Sequence, residues 1–393
     1  MAKTVILEGA RTPVGKFGGA LAPLTAAQLG GIAMKEAMKR AGVKPEQLGE
    51  IIFGNVLQAG QGQIPSRQAA REAGISWGIK TETINKVCAS GLRSVTIADQ
   101  IIRSGDEEVI LAGGMESMSN VPYGTAKARW GARMGDVPMI DLMIHDGLSC
   151  SFTGVHMGTY GNATAEELEL TREDQDNWAA RSHQRAIMAI ENGTMAEEIV
   201  PVQVPQRKGD PIIVDQDEAP RRDTTQEALA KLRPAFGKDG TITAGNAPGV
   251  NDGAAALVLM SDERAQKEGK PFLATILAHA EVAVEAERFP QTPGLVINEI
   301  LKKTGKTAEE IELFEINEAF AAVALASSKI AGLDPEKVNV NGGAVAFGHP
   351  IGASGARIIL TLAYELRRRG GGIGIAAICS GSGQGDAIMI EVK

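Results

Sequence analysis

Short runs rich in Val, Ile and Leu alternate along the chain with longer stretches in which apolar residues recur every three or four positions. Runs of the first kind fit buried strands and those of the second fit amphipathic helices, so their alternation predicts an α/β architecture. The pattern predicts strands at Thr4–Leu7, Glu50–Gly54, Val109–Ala112, Ala255–Met260, Ala274–His279, Leu313–Ile316 and Gly374–Ile378. It predicts a helix over Ala26–Ala41, where Leu29, Ile32, Ala33 and Ala37 share one face. A second helix is predicted near Glu173–Glu191, with Thr171 as its N-cap.

Several of these local patterns occur twice, in the same order. Ala89-Ser-Gly-Leu-Arg93 recurs as Ala353-Ser-Gly-Ala-Arg357, each time opening a helical pattern that a Gly-containing apolar strand follows. Ile52-Phe-Gly-Asn55 matches Phe314-Glu-Ile-Asn317, and Thr4-Val-Ile-Leu7 resembles Ala274-Thr-Ile-Leu277. Three ordered matches at nearly constant spacing imply an internal duplication. We read residues 1–119 and 250–393 as two similar α/β halves that pack together. Residues 120–249 have no counterpart and are richer in Met, charge and turn residues. A long insertion of this kind suits substrate binding or oligomer contacts.

The chain has 393 residues, 47 of them Gly and only 4% aromatic, which implies a core with few rings and close backbone packing. A net charge of −8 gives no electrostatic footprint for nucleic acid or an anionic membrane. No apolar run approaches the ~20 residues of a membrane span. The start is too soon charged for a secretory signal. The three cysteines, Cys88, Cys150 and Cys379, are too few and too odd for a disulfide framework, so a reducing, cytoplasmic location is expected. No His or Cys spacing fits a metal site, so no metal is expected.

Four residues carry candidate chemistry. Cys88 lies in Asn85-Lys-Val-Cys-Ala-Ser-Gly-Leu-Arg93, just before a helical pattern of Leu92, Val95, Ala98 and Ile102. A helix N-terminus favours the thiolate, the reactive form of cysteine. A lone Cys is more often a small buried hydrophobe, but Ala89, Ser90 and Gly91 leave room for a ligand, which favours a nucleophile. His349, one of five histidines, lies in the Gly-rich run Asn341–Arg357. A structural turn residue is the common alternative. That run lacks the Gly-Lys-Ser/Thr ending of a nucleotide loop. Cys379 ends an apolar strand and enters a glycine turn whose N–H groups could nest an anion. Under the duplication it falls opposite Met115, so this thiol belongs to one half only. Asn317 also lies at a strand end, the place where α/β sheets build their sites.

With these motifs assembled, the sequence resembles the thiolase family over essentially its whole length, most closely its short-chain acetyl-CoA acetyltransferases. The matching motifs are Asn85-Lys-Val-Cys-Ala-Ser-Gly, Asn317-Glu-Ala-Phe, the run from Gly342 to Gly355 with its Gly-His-Pro, and Cys379-Ser-Gly-Ser-Gly-Gln-Gly. The resemblance implies the thiolase fold: two βαβαβαββ halves in a five-layer αβαβα sandwich, with 120–249 as a loop domain. It also implies a homotetramer built from dimers. The family reaction is the reversible condensation of two acetyl-CoA to acetoacetyl-CoA and CoA. Carried onto this chain, Cys88 attacks an acyl-CoA and forms an acyl-enzyme, and His349 takes the Cys88 proton. Cys379 moves a proton at the methyl carbon of the second acetyl-CoA. One oxyanion site pairs His349 with a water held by Asn317. The other uses the backbone N–H groups of Cys88 and Gly381. No cofactor is implied, because CoA itself carries the acyl group.

The same resemblance implies substrate contacts at Leu148, His156, Met157, Phe236, Ala244 and Phe320, with Met157 limiting acyl size and Arg221 near the adenine and phosphate end. The chain departs from the short-chain pattern at Pro248 and Ala228, each in place of Ser, at Tyr160–Ala163, and at Phe289-Pro290 in place of Met-Gly. Cys150 has no counterpart role and reads as a packing residue. A broader-range degradative 3-ketoacyl-CoA thiolase of β-oxidation is the alternative. Decarboxylating ketoacyl synthases use Cys-His-His, whereas this chain has Asn317 at one His position and adds Cys379. A non-catalytic acyl-CoA carrier would have no use for both cysteines and His349.

Overall fold

Among the described residues, 3–393 of a computed structural model, ten strands form one continuous mixed sheet. Nine are long enough to label: β1 (Thr4–Arg11), β2 (Glu50–Gly54), β3 (Lys80–Ile84), β4 (Val109–Ser117), β5 (Asn251–Ser261), β6 (Ala274–Ala283), β7 (Leu313–Ile316), β8 (Gly372–Ser380) and β9 (Gln384–Val392). The tenth, Gly15–Lys16, pairs with β5. Their order is β7-β8-β9-β6-β1-β5-β4-β2-β3. Every strand read from the pattern is present, and β2 and β7 keep the bounds read from sequence. The sequence reading lacks β3 and β9. In β3, Lys80-Thr-Glu-Thr-Ile84 is polar and only partly buried at the sheet edge, and β9 begins with the unpromising Gln-Gly-Asp.

The duplication is visible in the pairing. In the first half β1 and β5 are antiparallel, as are β5 and β4, while β4, β2 and β3 run parallel. In the second half β6, β9, β8 and β7 repeat that scheme, and the remaining strand is reduced to a parallel bridge between Phe314 and Val338. The register slips at Leu7 in β1 and at its counterpart Leu277 in β6. The halves join edge to edge where Val5 and Ile6 meet Thr275 and Ala274. β5 completes the first half's sheet, so the break between halves falls between β5 and β6 rather than at 250. Strand pairing is non-local, and the apolar run of β5 reads alike in either half.

Helices α1 (Ala26–Ala41) and α2 (Pro65–Glu72) cover the outer face of the first half, and α1 keeps the bounds read from sequence. Helices α6 (Thr292–Thr304) and α7 (Ala321–Ala331) cover the outer face of the second. Between the two halves lie α3 (Ser90–Ser104) and α8 (Ile351–Arg368), whose Leu92, Val95, Ile358 and Ile359 share one core with Ile110 and Ile390. The layers therefore run αβαβα. α3 and α8 cross at the glycines of the duplicated Ala-Ser-Gly. A Cβ on Gly91 would lie 2.8 Å from Ala356 N, and one on Gly355 would lie 2.3 Å from Leu92 N.

The segment between β4 and β5 carries α4 (Met157–Glu167) and α5 (Arg172–Glu191). Thr171 caps α5 in a capping box with Asp174. The buried Arg11 of β1 ties this segment to the sheet. It donates to Glu198 at 2.5 Å and forks onto Asp217 at 2.7 and 2.9 Å. No described helix is long and apolar enough to cross a membrane.

Because backbone faces backbone at the helix crossing, Gly355→Ala should lower stability by about 1–3 kcal/mol or more, as overpacked cores do. Gly78→Ala, where the nearest non-neighbouring atom is 3.9 Å from the added Cβ, should stay within about 0.5 kcal/mol of the parent. Urea unfolding midpoints of the two variants check the contrast.

Candidate active site

Cys88 occupies the turn between β3 and α3, two residues ahead of the first helical residue, Ser90. The turn is tight: Val87 has φ +47°, a conformation that costs a β-branched residue about 1–3 kcal/mol. Several bonds hold it. Val87 N–H donates to Asn85 Oδ1 at 2.9 Å, and Ser90 Oγ accepts from Lys86 N–H at 2.8 Å while donating to the Val87 carbonyl at 2.6 Å. The second half contributes as well. Ser380 Oγ donates to the Lys86 carbonyl at 2.5 Å, and Lys86 Nζ reaches Glu281 at 2.5 Å and Asp386 at 2.7 Å.

The Cys88 thiol borders a cavity, but the protein around it matters more than the helix start. Burial pushes its pKa up to about 12, against the backbone N–H groups of Gly381 and of Cys88 itself, and the Glu116 carboxyl adds to the rise. This corrects the expectation of a helix-stabilised thiolate. Desolvation by residues from distant segments outweighs the dipole of one helix. The resting thiol holds its proton and needs a base.

His349 borders the same cavity. Its turn requires Gly348, which has φ +104° and whose Cβ would fall 2.4 Å from the Asn251 side chain. Asn251 Oδ1 accepts the His349 N–H at 2.9 Å, and Asn251 Nδ2 donates to the Gly15 carbonyl at 3.0 Å. The ring lies with Nδ1 2.6 Å from Ser354 Oγ and Nε2 3.5 Å from Asn317 Nδ2. Burial, with a smaller push from the Arg357 cation, lowers the His349 pKa to about 3. The imidazole is therefore neutral. Asn317, fully buried just past β7, has no protein partner for Oδ1 among the described residues.

Cys379 is fully buried in β8, packed with Phe289, Ala319 and Phe320. Burial raises its pKa well above the ordinary thiol range, and the nearby Cys88 raises it further. Both thiols and the imidazole are thus uncharged at rest.

Cys88 and His349 meet at a cavity of about 180 Å³, with Cys379 packed behind its Phe289, Ala319 and Phe320. Cys88, His349, Gly381, Leu148, His156, Met157, Phe236 and Phe320 line it, as do Pro248 and Phe289. His156 and Phe236 stack at 4.3 Å, and Phe320 meets Phe236 edge-on at 6.1 Å. Behind Phe289, Tyr160 stands edge-on at 6.3 Å and pairs with Thr153 Oγ1 at 2.5 Å. Cys150 packs in the same cluster, as its reading from sequence has it. Two expected contacts lie elsewhere. Ala244 and Arg221 are exposed and outside the cavity wall, and Arg221 N–H donates to His183 Nδ1 at 3.2 Å. Sequence reasoning misses the supports Ser354, Asn251 and Ser380. Ser354 carries a signal in retrospect, since the duplicated Ala-Ser-Gly places it opposite Ser90. Among the described residues no three His, Cys, Asp or Glu side chains cluster as metal ligands.

Comparison with known proteins agrees with this geometry. The family model for the thiolase N-terminal domain matches residues 4–263, and that for the thiolase C-terminal domain matches 270–392. An acetyl-CoA acetyltransferase of Pseudomonas aeruginosa is 49% identical over 390 residues, covering 99% of either chain. One from Cupriavidus necator is 48% identical over 393 residues, covering all of both chains. The crystal structure of the Bacillus anthracis acetyl-CoA acetyltransferase superposes with a TM-score of 0.98 at 42% identity, covering 100% of this chain and 99% of that one. Two domain models matched in the order of the two halves, together with likeness over the full length, make this chain a member of the thiolase family.

Proposed function

We propose that the protein is an acetyl-CoA C-acetyltransferase, which condenses two acetyl-CoA to acetoacetyl-CoA and CoA and runs the reverse cleavage. The observation that carries this reading is a protonated thiol, Cys88, and a neutral imidazole, His349, on one apolar cavity with a second protonated thiol, Cys379, just behind its wall.

His349 Nε2 takes the proton of Cys88, and the thiolate attacks the thioester carbon of acetyl-CoA. Oxyanion charge develops toward the N–H groups of Cys88 and Gly381, which already face the sulfur at rest. Fixed donors at that point stabilise the tetrahedral state more than the substrate. CoA departs and is protonated by Cys379. The acetyl-enzyme is left with an imidazolium at His349 and a thiolate at Cys379. Acylated Cys88 can no longer ionise, so no second thiolate competes with that of Cys379. The Cys379 thiolate then removes a methyl proton from a second acetyl-CoA. The carbanion attacks the acetyl group, the new carbon–carbon bond forms, and the Cys88–acyl bond breaks. Cys88 recovers its proton from His349. The enolate oxygen falls to His349 and to the amide of Asn317.

This chemistry asks for no cofactor beyond the CoA thioesters. The wall of Met157, Phe289 and Phe236 favours a short acyl chain, with Arg221 toward the outer, nucleotide end of CoA. The inserted segment exposes Trp130, Met134 and Met139 at 79%, 97% and 69%, which favours self-association as the homotetramer. We place the enzyme in the cytoplasm, in fatty acid metabolism.

Incubation with acetoacetyl-CoA and free CoA should yield acetyl-CoA, and failure to do so would overturn the reading. Cys88→Ser should abolish the acetyl-enzyme, and a stoichiometric acetyl adduct on another residue in the parent would displace Cys88 as nucleophile.

Cys379→Ala should keep acetylation of Cys88, because the His349 imidazolium can protonate CoA itself. Condensation should slow by on the order of a hundredfold, the usual contribution of a proton-transfer group. Rapid-quench measurement of each half-reaction tests this. Equal loss in both would make Cys379 structural.

In the parent, kcat/KM should be highest for acetoacetyl-CoA and decline over one or two added methylenes. Met157→Ala and Phe289→Ala should each extend the range, since an accommodated methylene returns about 0.8 kcal/mol, roughly fourfold. A C4 to C10 series of 3-ketoacyl-CoA thioesters reads this out. A parent optimum at C8 or beyond would favour the degradative enzyme instead.

A further inference from the structure

The duplicated Ala-Ser-Gly places a serine in the first turn of each central helix, Ser90 in α3 and Ser354 in α8. Ser90 has a visible task in the turn that carries Cys88. Ser354 is 1% exposed, does not itself line the cavity, and spends its hydroxyl on two neighbours. Its Oγ lies 3.0 Å from the Pro350 carbonyl, one turn back, and 2.6 Å from His349 Nδ1.

We infer that Ser354 is the positioning residue that fixes the tautomer of His349, holding the proton on Nδ1 and leaving the Nε2 lone pair free on the ring that borders the same cavity as Cys88. The inference rests on His349 acting as the base of the proposed reaction. A serine hydroxyl has one hydrogen and two lone pairs. If that hydrogen points to the Pro350 carbonyl, the common back-bond of a helical serine, Oγ meets Nδ1 as an acceptor and Nδ1 must carry the ring proton. Nε2 is then unprotonated and faces Asn317 Nδ2, a donor. The opposite arrangement would send the hydroxyl hydrogen to Nδ1 and place the ring proton on Nε2. That proton would leave no base on the cavity side.

Only the first arrangement lets a neutral imidazole accept the Cys88 proton. When it does, the new imidazolium keeps its Nδ1–H bonded to Ser354 Oγ. A hydrogen bond to a charged group contributes enough that its loss should slow the step about 10- to 100-fold. Ser354 would thus serve the base as Ser90 serves the nucleophile.

Neutron diffraction from deuterated crystals of the full chain at neutral pH locates the ring deuteron directly. We expect it on Nδ1, with the Ser354 deuteron toward Pro350. In Ser354→Ala, Cys88 should react with iodoacetamide about 10- to 100-fold more slowly, and the ring deuteron should no longer sit on Nδ1 alone. Ser354→Thr, which keeps the hydroxyl, should restore both. A deuteron on Nε2 in the parent overturns the inference, and so does an alanine variant unchanged in tautomer and alkylation rate. Where the alanine variant fails to fold, the parent density decides alone. Neither readout uses acetyl-CoA. A missing acetyl transfer with the deuteron on Nδ1 would therefore count against the proposed activity and leave the tautomer standing.

Discussion

The contact on which the rest depends is the crossing of α3 and α8. Neither Gly91 nor Gly355 has room for a methyl group, because each faces the other helix's backbone. Two helices this close must also start close. Cys88 precedes one start by two residues, and His349 precedes the other by two. Cys88 and His349 therefore come together through the packing of the central layer. Leu92, Val95, Ile358 and Ile359, all buried, supply the apolar burial that holds that layer.

The duplication lets each half steady the other's helix start. Ser380, at the end of β8, bonds the Lys86 carbonyl in the turn before α3. Glu116, its counterpart in β4, accepts from Gly352 N–H at the start of α8 at 3.0 Å, and from Val56 and Leu57 N–H. The scaffold is reciprocal while the chemistry is divided. Met115 of the first half stands opposite Cys379 of the second, and Gly352 of the second opposite Cys88 of the first. Each half has kept one thiol, and the cavity draws on both halves.

What could be read from the sequence was what local pattern encodes. α1, β2 and β7 keep the bounds that apolar spacing gives, and Thr171 caps α5 because capping is settled within four residues. The chemistry-bearing motifs were legible because Cys88, His349, Asn317 and Cys379 sit in unusual glycine-rich settings, and the structure gathers all four. The failures were non-local. β3 lies at a polar edge, and β5 belongs to whichever half it pairs with. The Cys88 thiolate looked favoured because the helix start is written nearby, whereas the apolar enclosure that protonates it comes from Met118, Leu148 and Phe320. Ala244 matched by motif, but it lies exposed and outside the wall.

The charge state of the site follows from the same enclosure. Here burial keeps both thiols protonated and the imidazole neutral until substrate arrives. In the proposed reaction charge then arises as a pair, imidazolium and thiolate, within one low-dielectric space where opposite charges stabilise each other strongly. Glu116 is the ionisable group held closest to this balance. Burial raises its pKa to about 7 against the N–H groups of Val56, Leu57 and Gly352 that favour its charge. Its charge adds, after burial, to the rise of the Cys88 thiol, so the carboxylate that braces α8 also disfavours the Cys88 thiolate.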